Sequence, residues 1–573
     1  MRLRPLGFLQ NIRNRHWPEW RFLLFTVTVT VYPRIWKVNV IGISNTSFRR
    51  CGGTAFIAWQ RPVKIVLYVM RFVNQISTHM EIKRLYNENR LPFFSALGFS
   101  LLAYGFCMTN KIPVGDDLNP LGLFGKGITT PSGRYGLELL RFVMPDVSMP
   151  WIYGLMSILL LAAAVCITVR LFEIKSPVLQ ILLAGAFVSF PAQAGTMLYT
   201  FTAAPYAVSL LLTVTGVWYF ITGRRGRWIA APLLIGFSCS IYQGYFSIAA
   251  SFCVIYMIVQ LCRTKKTALT IFREGVMMLA MLLLALALYG LALLAALKLL
   301  NLPLLQEAVN DSLSFPRRFL VVYKSWLMTF LDGRFGYVPN KVSRVMHLAL
   351  LLIVGVTMLA QLRKKGDLPS LALAGLCLFL WPLSCYCLYL LADSGFIHSL
   401  SLYSFASLYV LCAALLDGWS PAPAPALKRL AALALAVILC GNIYCANALY
   451  LRYYLRFEEL KSFYTTLLTR VMETPGFAEG DRLAIVGDAP ALSYDIDRHF
   501  TDAPLQLPSL ELGSVAYAED IISQYLGCDI PFASEEEAAA LETDGMPVYP
   551  YDGSVKRMGD VIAVKFSAKE ADA

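Results

Sequence analysis

The sequence predicts an all-α polytopic membrane protein with a small α/β domain at its C-terminal end. Three observations carry that fold class. Charged residues make up 15% and apolar residues 57% of the 573 positions, against about 25% charged in soluble domains. The apolar residues fall in long runs, many at or beyond the roughly 18 that suggest a membrane span. Charge is also segregated: residues 1–90 hold 15 Lys and Arg against 3 Asp and Glu, whereas 451–573 hold 10 against 22. A soluble enzyme, a secreted disulfide scaffold and a disordered chain are excluded. The net charge of +13 is therefore no nucleic-acid footprint. A basic start and an acidic end point to different sides of a membrane.

Eleven apolar runs read as spans: 91–109, 150–170, 177–194, 203–222, 228–242, 245–262, 275–299, 345–361, 369–391, 397–416 and 430–449. As one helix 229–262 would be about 50 Å long, so it is divided at the Tyr-Gln-Gly-Tyr of 242–245. The positive-inside rule orients the set. With 80–90 cytoplasmic, the later inside segments are 171–176, 223–227, 263–274, 362–368 and 417–429, and all are basic. The opposite turns at 195–202, 243–244 and 392–396 contain no Lys or Arg. Two long loops, 110–149 and 300–344, and the tail from 450 then lie outside.

The ends differ from this core. Residues 1–80 are rich in Arg and Trp, and their longest apolar stretch, 22–32, is too short to cross. No signal-peptide pattern is present. The natural start is expected near Met70 or Met80, which would leave 1–80 outside the natural protein. Residues 81–450 form the membrane domain. The acidic 451–573 reads as an extracytoplasmic α/β domain, with strands at Arg-Leu-Ala-Ile-Val-Gly-Asp (482–488) and Asp-Val-Ile-Ala-Val-Lys-Phe (560–566) and a helix over 454–472. The Pro-Ala repeat at 421–426 reads as a stiff connector. The 13 cysteines are an odd number, and only Cys51 and Cys528 lie away from apolar runs. They read as small buried hydrophobes, with neither disulfides nor a metal site indicated.

Charged residues are nearly missing inside the runs, which demotes a proton- or ion-coupled transporter. They gather just outside. The first long loop carries Asp116 and Asp117, followed by Ser-Gly-Arg-Tyr-Gly-Leu-Glu-Leu-Leu-Arg-Phe-Val-Met-Pro (132–145). There Leu137, Leu140 and Val143–Met144 share one helical face, and Arg134, Glu138 and Arg141 the other, as in an interfacial amphipathic helix. The Asp pair with Asn119 and Pro120 is equally what shapes an Asx turn. The second loop offers Arg317, Arg318, Lys324 and Arg334. Lys324 and Arg334 are the candidates for a lipid phosphate, although interfacial cations also snorkel to headgroups. Tyr242 and Gln243 sit where two spans meet; Gln is costly in hydrocarbon and must be paired, wet or in a site.

Together these pieces resemble the bacterial Gtr-type glucosyltransferase II family, of GT-C architecture. They are the outer Asp116-Asp117, the Gly-Arg-Tyr-Gly of 133–136, Ser-Ile-Tyr-Gln-Gly-Tyr (240–245), and Asn-Ala-Leu-Tyr-Leu-Arg-Tyr-Tyr (447–454) before the tail. Their order in the topology carries the resemblance, over roughly residues 90–490. The resemblance implies an inverting transfer of a hexose, glucose in this family, from a polyprenyl-phosphate carrier. The acceptor would be a surface glycan such as a lipid-linked O-antigen, at the outer face of a bacterial inner membrane. Asp116 or Asp117 would be the catalytic base, and Arg134, Tyr242, Gln243, Lys324 and Arg334 would bind substrate. A lipid monophosphate leaving group requires no metal, so no cofactor is expected. A flippase for lipid-linked glycans and a glycan polymerase, which the Arg317-Arg318 pair suits, are the alternatives.

Overall fold

Chain in hydrocarbon must satisfy its backbone polar groups internally, and the apolar runs duly fold as helices. The computed structural model describes residues 29–32, 35–38, 79–113, 129–144, 147–304, 314–331, 341–391, 399–417, 419, 424–487 and 515–567. The chain divides into two units, Met1–Arg84 and Leu85–Ala573. In the first, β1 (Val29–Tyr32) and β2 (Ile35–Val38) pair antiparallel, Val29 opposite Val38.

The helices are α1 (His79–Thr109), α2 (Tyr135–Leu140), α3 (Pro150–Leu171), α4 (Pro177–Val188), α5 (Pro191–Leu198), α6 (Thr200–Ile221) and α7 (Arg227–Ile241). There follow α8 (Phe246–Arg263), α9 (Ala268–Leu300), α10 (Phe315–Leu331), α11 (Lys341–Lys365), α12 (Leu368–Cys385), α13 (Cys387–Leu391), α14 (Ser407–Leu416) and α15 (Ala424–Met472). Among the described residues, each of the eleven apolar runs lies largely on helix. Among the described residues, however, only eight helices are long and apolar enough to cross a membrane, or nine with α4 and α5 taken as one span bent by 46°. This is a membrane protein whose remaining apolar elements, α7 and Leu400–Leu416, are short.

The irregularities have local causes. Pro191 has no N–H to give the Phe187 carbonyl. That oxygen keeps a long 3.4 Å bond from the Phe190 N–H and accepts the Tyr403 hydroxyl at 2.9 Å. The next carbonyl, Val188, accepts the Tyr104 hydroxyl. Ser399–Ala406 is a 3-10 helix. With its steeper rise, this segment and α14 together reach about 31 Å. The split expected at 242–245 is observed: Tyr242 is extended (φ −151°, ψ 109°), and Gln243–Tyr245 form a single 3-10 turn before α8.

All ten residues of α14 are buried, so it is the central helix. Trp381 Nε1 donates to Ser407 Oγ at 2.9 Å, Gln361 Nε2 to the Leu415 carbonyl at 2.9 Å, and His347 Nε2 pairs with Tyr409 Oη at 2.9 Å. By contrast α9 buries few residues and leaves Leu279, Leu283, Leu291 and Leu294 exposed, an apolar face suited to lipid. At one end the loops are stitched together. Arg263 donates to the Phe172 carbonyl at 3.1 Å and the Asp417 carbonyl at 2.8 Å. The Asp417 carboxylate accepts the Lys175 and Ser176 N–H groups, both at 2.9 Å. Lys365 Nζ donates to the Lys266 carbonyl at 2.7 Å. These loops are among those the charge asymmetry assigned to a common side.

The break expected between a span ending at 449 and a helix from 454 does not occur. The 49-residue α15 runs for about 73 Å, and Pro425 in its first turn takes over half of the expected Pro-Ala connector. Its buried stripe never lapses. Leu449, Tyr450 and Tyr453 pack in the bundle core, and Phe457, Leu460, Tyr464, Leu467, Leu468 and Val471 pack in the tail core. The helix changes partner rather than conformation. Against it lies a three-stranded sheet, β3 (Arg482–Val486), β4 (Val555–Met558) and β5 (Val561–Lys565), in the order β3-β5-β4. β3 and β5, the two expected strands, are parallel, with Leu483 opposite Ile562. β4, which the sequence pattern does not reveal, is antiparallel to β5. Among the described residues the tail also holds the short helices α16 (Val515–Asp520), which continues as a π-helix over Ile521–Tyr525, and α17 (Glu535–Ala540), the latter with a Ser534–Glu537 capping box. Arg482 grips both Glu537 oxygens at 2.8 Å.

Leu467 is fully buried in the tail core. Leu467→Asp puts an unpaired carboxylate there, at a cost on the order of 3 kcal/mol or more. Trypsin is expected to cut the tail of this variant at lower enzyme concentration than in the parent, with the bundle fragments unchanged. Equal sensitivity would show that α15 does not hold the sheet.

Candidate active site at the Gly-Arg-Tyr-Gly turn

The two glycines of 133–136 have separate physical duties. Gly133 has φ +80°, a conformation that L side chains rarely adopt. A Cβ there would lie 2.2 Å from Tyr289 Oη and 2.7 Å from Gln243 Nε2. A Cβ on Gly136 would lie 2.3 Å from Ser240 Oγ and 2.9 Å from the Ser240 backbone, so α2 rests directly on the end of α7.

Between the glycines the turn is tied to the bundle. Gln243 Nε2 donates to the Ser132 carbonyl at 2.8 Å and to Tyr289 Oη at 3.1 Å. The Tyr289 hydroxyl in turn donates to the Gly133 carbonyl at 3.1 Å. The Tyr135 ring stacks on Tyr289, centroids 6.0 Å apart and planes 16° apart. Burial pushes the Tyr135 hydroxyl up to about 12, so it stays a neutral donor. On the preceding side Glu138 accepts from Thr129 Oγ1 at 2.8 Å and pairs with Arg141 at 3.0 Å.

Arg134 is held differently. Its Nη1 donates to Tyr206 Oη at 3.3 Å, and its guanidinium carbon lies 5.8 Å from the centre of the Tyr242 ring. Tyr242 itself stacks on Tyr206, centroids 4.3 Å apart. The aromatic faces favour a cation at that spot, which is where an anionic ligand group would be met.

Arg134, Tyr242 and Gln243 thus lie around one turn. Gln243 gives one amide hydrogen to the Ser132 carbonyl of the turn and the other to Tyr289 Oη on α9. Lys324 is exposed on α10, which packs on α11, α12 and α13, and it makes no hydrogen bond or ion pair with a described residue. Asp116, Asp117 and Arg334 lie outside the described residues. The helix expected over 132–145 ends at Leu140. Leu137 is buried, but Phe142 and Val143 are 89% and 77% exposed, so the apolar side chains point both into the bundle and outward. Among the described residues no group of three or more His, Cys, Asp or Glu comes together, and no two of the twelve cysteines form a disulfide.

A family model described as Glucosyl transferase GtrII matches residues 105–412, just over half of the chain. The chain belongs to this family. The match agrees with the resemblance read from the motifs, and it spans the first long loop, the Gly-Arg-Tyr-Gly turn, Tyr242–Gln243 and α10. No curated protein and no solved structure matches the chain.

Several polar groups of this glucosyl transferase give no sign in its sequence pattern. Tyr206 and Tyr289 are hidden because a lone Tyr in an apolar run carries no charge. His347 (2% exposed), Gln193 and Asn442 (1% each) are hidden because the search of the runs rests on charged groups. The Gln193 amide has no hydrogen-bond partner.

Gly133→Ala is expected to reduce glucosyl transfer by tenfold to about a hundredfold, through displacement of the turn on the order of 1 Å. Gly98→Ala, at a position with nothing within 4 Å, provides the control. Transfer rates measured on equal amounts of monodisperse protein test this; parental activity in both variants would remove the turn from the active site.

Proposed function

We propose that the chain transfers glucose, with inversion, from a polyprenyl-phosphate carrier to a surface glycan such as a lipid-linked O-antigen, at the outer face of a bacterial inner membrane. The observation that supports it most is the fastening of Arg134 over Tyr242 and against Tyr206. This sets a cation at the end of a membrane bundle, in the loop that also carries Asp116 and Asp117. Family membership supplies the glucosyl transfer; the carrier, the stereochemistry and the acceptor are our reading. The tail beyond 450 would share the outer side.

In this reading Asp116 or Asp117 takes the proton of the acceptor hydroxyl as its oxygen attacks the anomeric carbon. The bond from that carbon to the phosphate oxygen breaks, and polyprenyl phosphate leaves with its electron pair. The growing charge on phosphate is met by Arg134, with Lys324 and Arg334 as further candidates. Gln243 and Tyr289 keep Arg134 in place. No step calls for a metal, so transfer should persist in EDTA.

The test uses membranes, polyprenyl-phosphate glucose carrying a radiolabel, and a lipid-linked glycan acceptor. Loss of a general base costs about 10²–10⁴-fold, so one of Asp116→Asn and Asp117→Asn is expected to fall by that much. Full activity in both variants would refute the assignment.

One observation favours a second reading, a flippase for lipid-linked glycans. A broken span with a buried, unpaired amide, as at Gln193, is a feature of transporter sites. Gln193→Ala is expected to leave the movement of glycan between leaflets unchanged. A variant that stops this movement but transfers glucose normally would favour transport.

A further inference from the structure

The end of the bundle remote from Gln243 holds a feature that glucosyl transfer does not use. Gln243 precedes α8 and Arg263 ends it, so the two ends lie about 27 Å apart along the helix. Around Arg263 is an open cavity of about 530 Å³. Five cations line it, Lys175, Arg263, Lys265, Lys364 and Lys365, against two carboxylates, Glu173 and Asp417.

Most of the polar groups in this lining already have work in the fold. Asp417 accepts two backbone N–H groups and lies 3.8 Å from Arg263. Arg263 and Lys365 donate to carbonyls of neighbouring loops. The ammonium groups of Lys175, Lys265 and Lys364 are different: all three residues are exposed, and none makes an ion pair or hydrogen bond with a described residue. Trp419 supplies an independent sign. It also lines the cavity, is 8% exposed, and its buried indole N–H has no acceptor. An indole can only donate, and a buried donor left without an acceptor is costly. Three ammonium groups and an unanswered N–H around one cavity ask for an anion rich in acceptor oxygens.

We propose that this cavity binds a phosphate group, that of an anionic phospholipid headgroup. The lipid source follows from depth. The lining lies on the short loops where α3, α8 and α11 end and α4 begins, the level at which spanning helices meet headgroups, where clustered cations attract anionic lipid. Lys175, Lys265 and Lys364 contact the phosphate oxygens, and Trp419 Nε1 donates to one of them.

The experiment is native mass spectrometry of the full chain in detergent, titrated with phosphatidylglycerol, with phosphatidylcholine, or with inorganic phosphate. The parent is expected to bind one phosphatidylglycerol in preference to phosphatidylcholine. Lys175→Gln/Lys265→Gln/Lys364→Gln together are expected to weaken it by about tenfold or more, since charge-assisted bonds are lost. Trp419→Phe, which keeps the ring and removes only the donor, should weaken it severalfold. Arg224→Gln/Arg225→Gln/Arg227→Gln, cations of another loop outside the cavity, should leave it unchanged. If inorganic phosphate competes with the lipid at equal affinity, the site is one for free phosphate and the lipid source is overturned. Equal weakening by both triple variants, or no weakening by either the lysine triple or Trp419→Phe, overturns the site itself.

Discussion

A carbonyl with no partner in a dry bundle costs several kcal/mol, and this constraint governs wherever the helices of this chain stop or bend. The answer is repeated. Where Pro191 breaks a span, hydroxyls from Tyr403 and Tyr104 reach across to the Phe187 and Val188 carbonyls, and Tyr450 donates to Ala194 one turn later at 2.9 Å. Gln361 and Tyr323 do the same for Leu415 and Phe379. Tyr suits this role because its ring packs like any core aromatic while its hydroxyl extends a donor beyond the packed layer. The interhelical bonds are thus a condition for irregular backbone to exist at these depths.

The Gly-Arg-Tyr-Gly turn is the same device applied to a loop. Ser132 and Gly133 expose their carbonyls because the chain turns at positive φ, and Gln243 and Tyr289 answer them. The two donors also bond each other, so neither can move without unmaking a contact to the turn. That coupling gives the loop end a fixed position on the bundle, a requirement for any chemistry that its preceding segment performs. Glycine at 133 is then a consequence of geometry, because a side chain would occupy the space of the two donors.

What was legible in the sequence follows from the strength of each physical signal. Long apolar runs and basic loops are strong signals, since the bilayer tolerates neither charge within nor many cations on the wrong side. The break at 242–245 was legible from length alone. The continuity of α15 was not, because hydropathy falls after 449 while the helical stripe Phe457, Leu460, Tyr464, Leu467 persists. Hydropathy reports the solvent, and periodicity reports the conformation. Gln243 stood out as an amide in an apolar setting, whereas its partner Tyr289 looked like any other interfacial aromatic. The partner of a polar group forty-six residues away is fixed by the packing of α9 against α7 and α8, which one-dimensional pattern does not encode.

The distribution of donors over the two ends of α8 follows from the same constraint. At its N-terminal end the loop is fixed by neutral groups, the Gln243 amide and the Tyr289 hydroxyl, and the cation Arg134 sits on aromatic rings beside them. At its C-terminal end the loops are fixed by cations themselves, Arg263 and Lys365, donating to carbonyls. A guanidinium reaching two carbonyls from two loops ties them together with one side chain, and Asp417, holding two N–H groups, supplies the countercharge within 3.8 Å. Neutral fixings add no fixed charge of their own to the turn they hold. Charged fixings bring their own countercharge, and here Arg263 and Asp417 hold neighbouring loops in register.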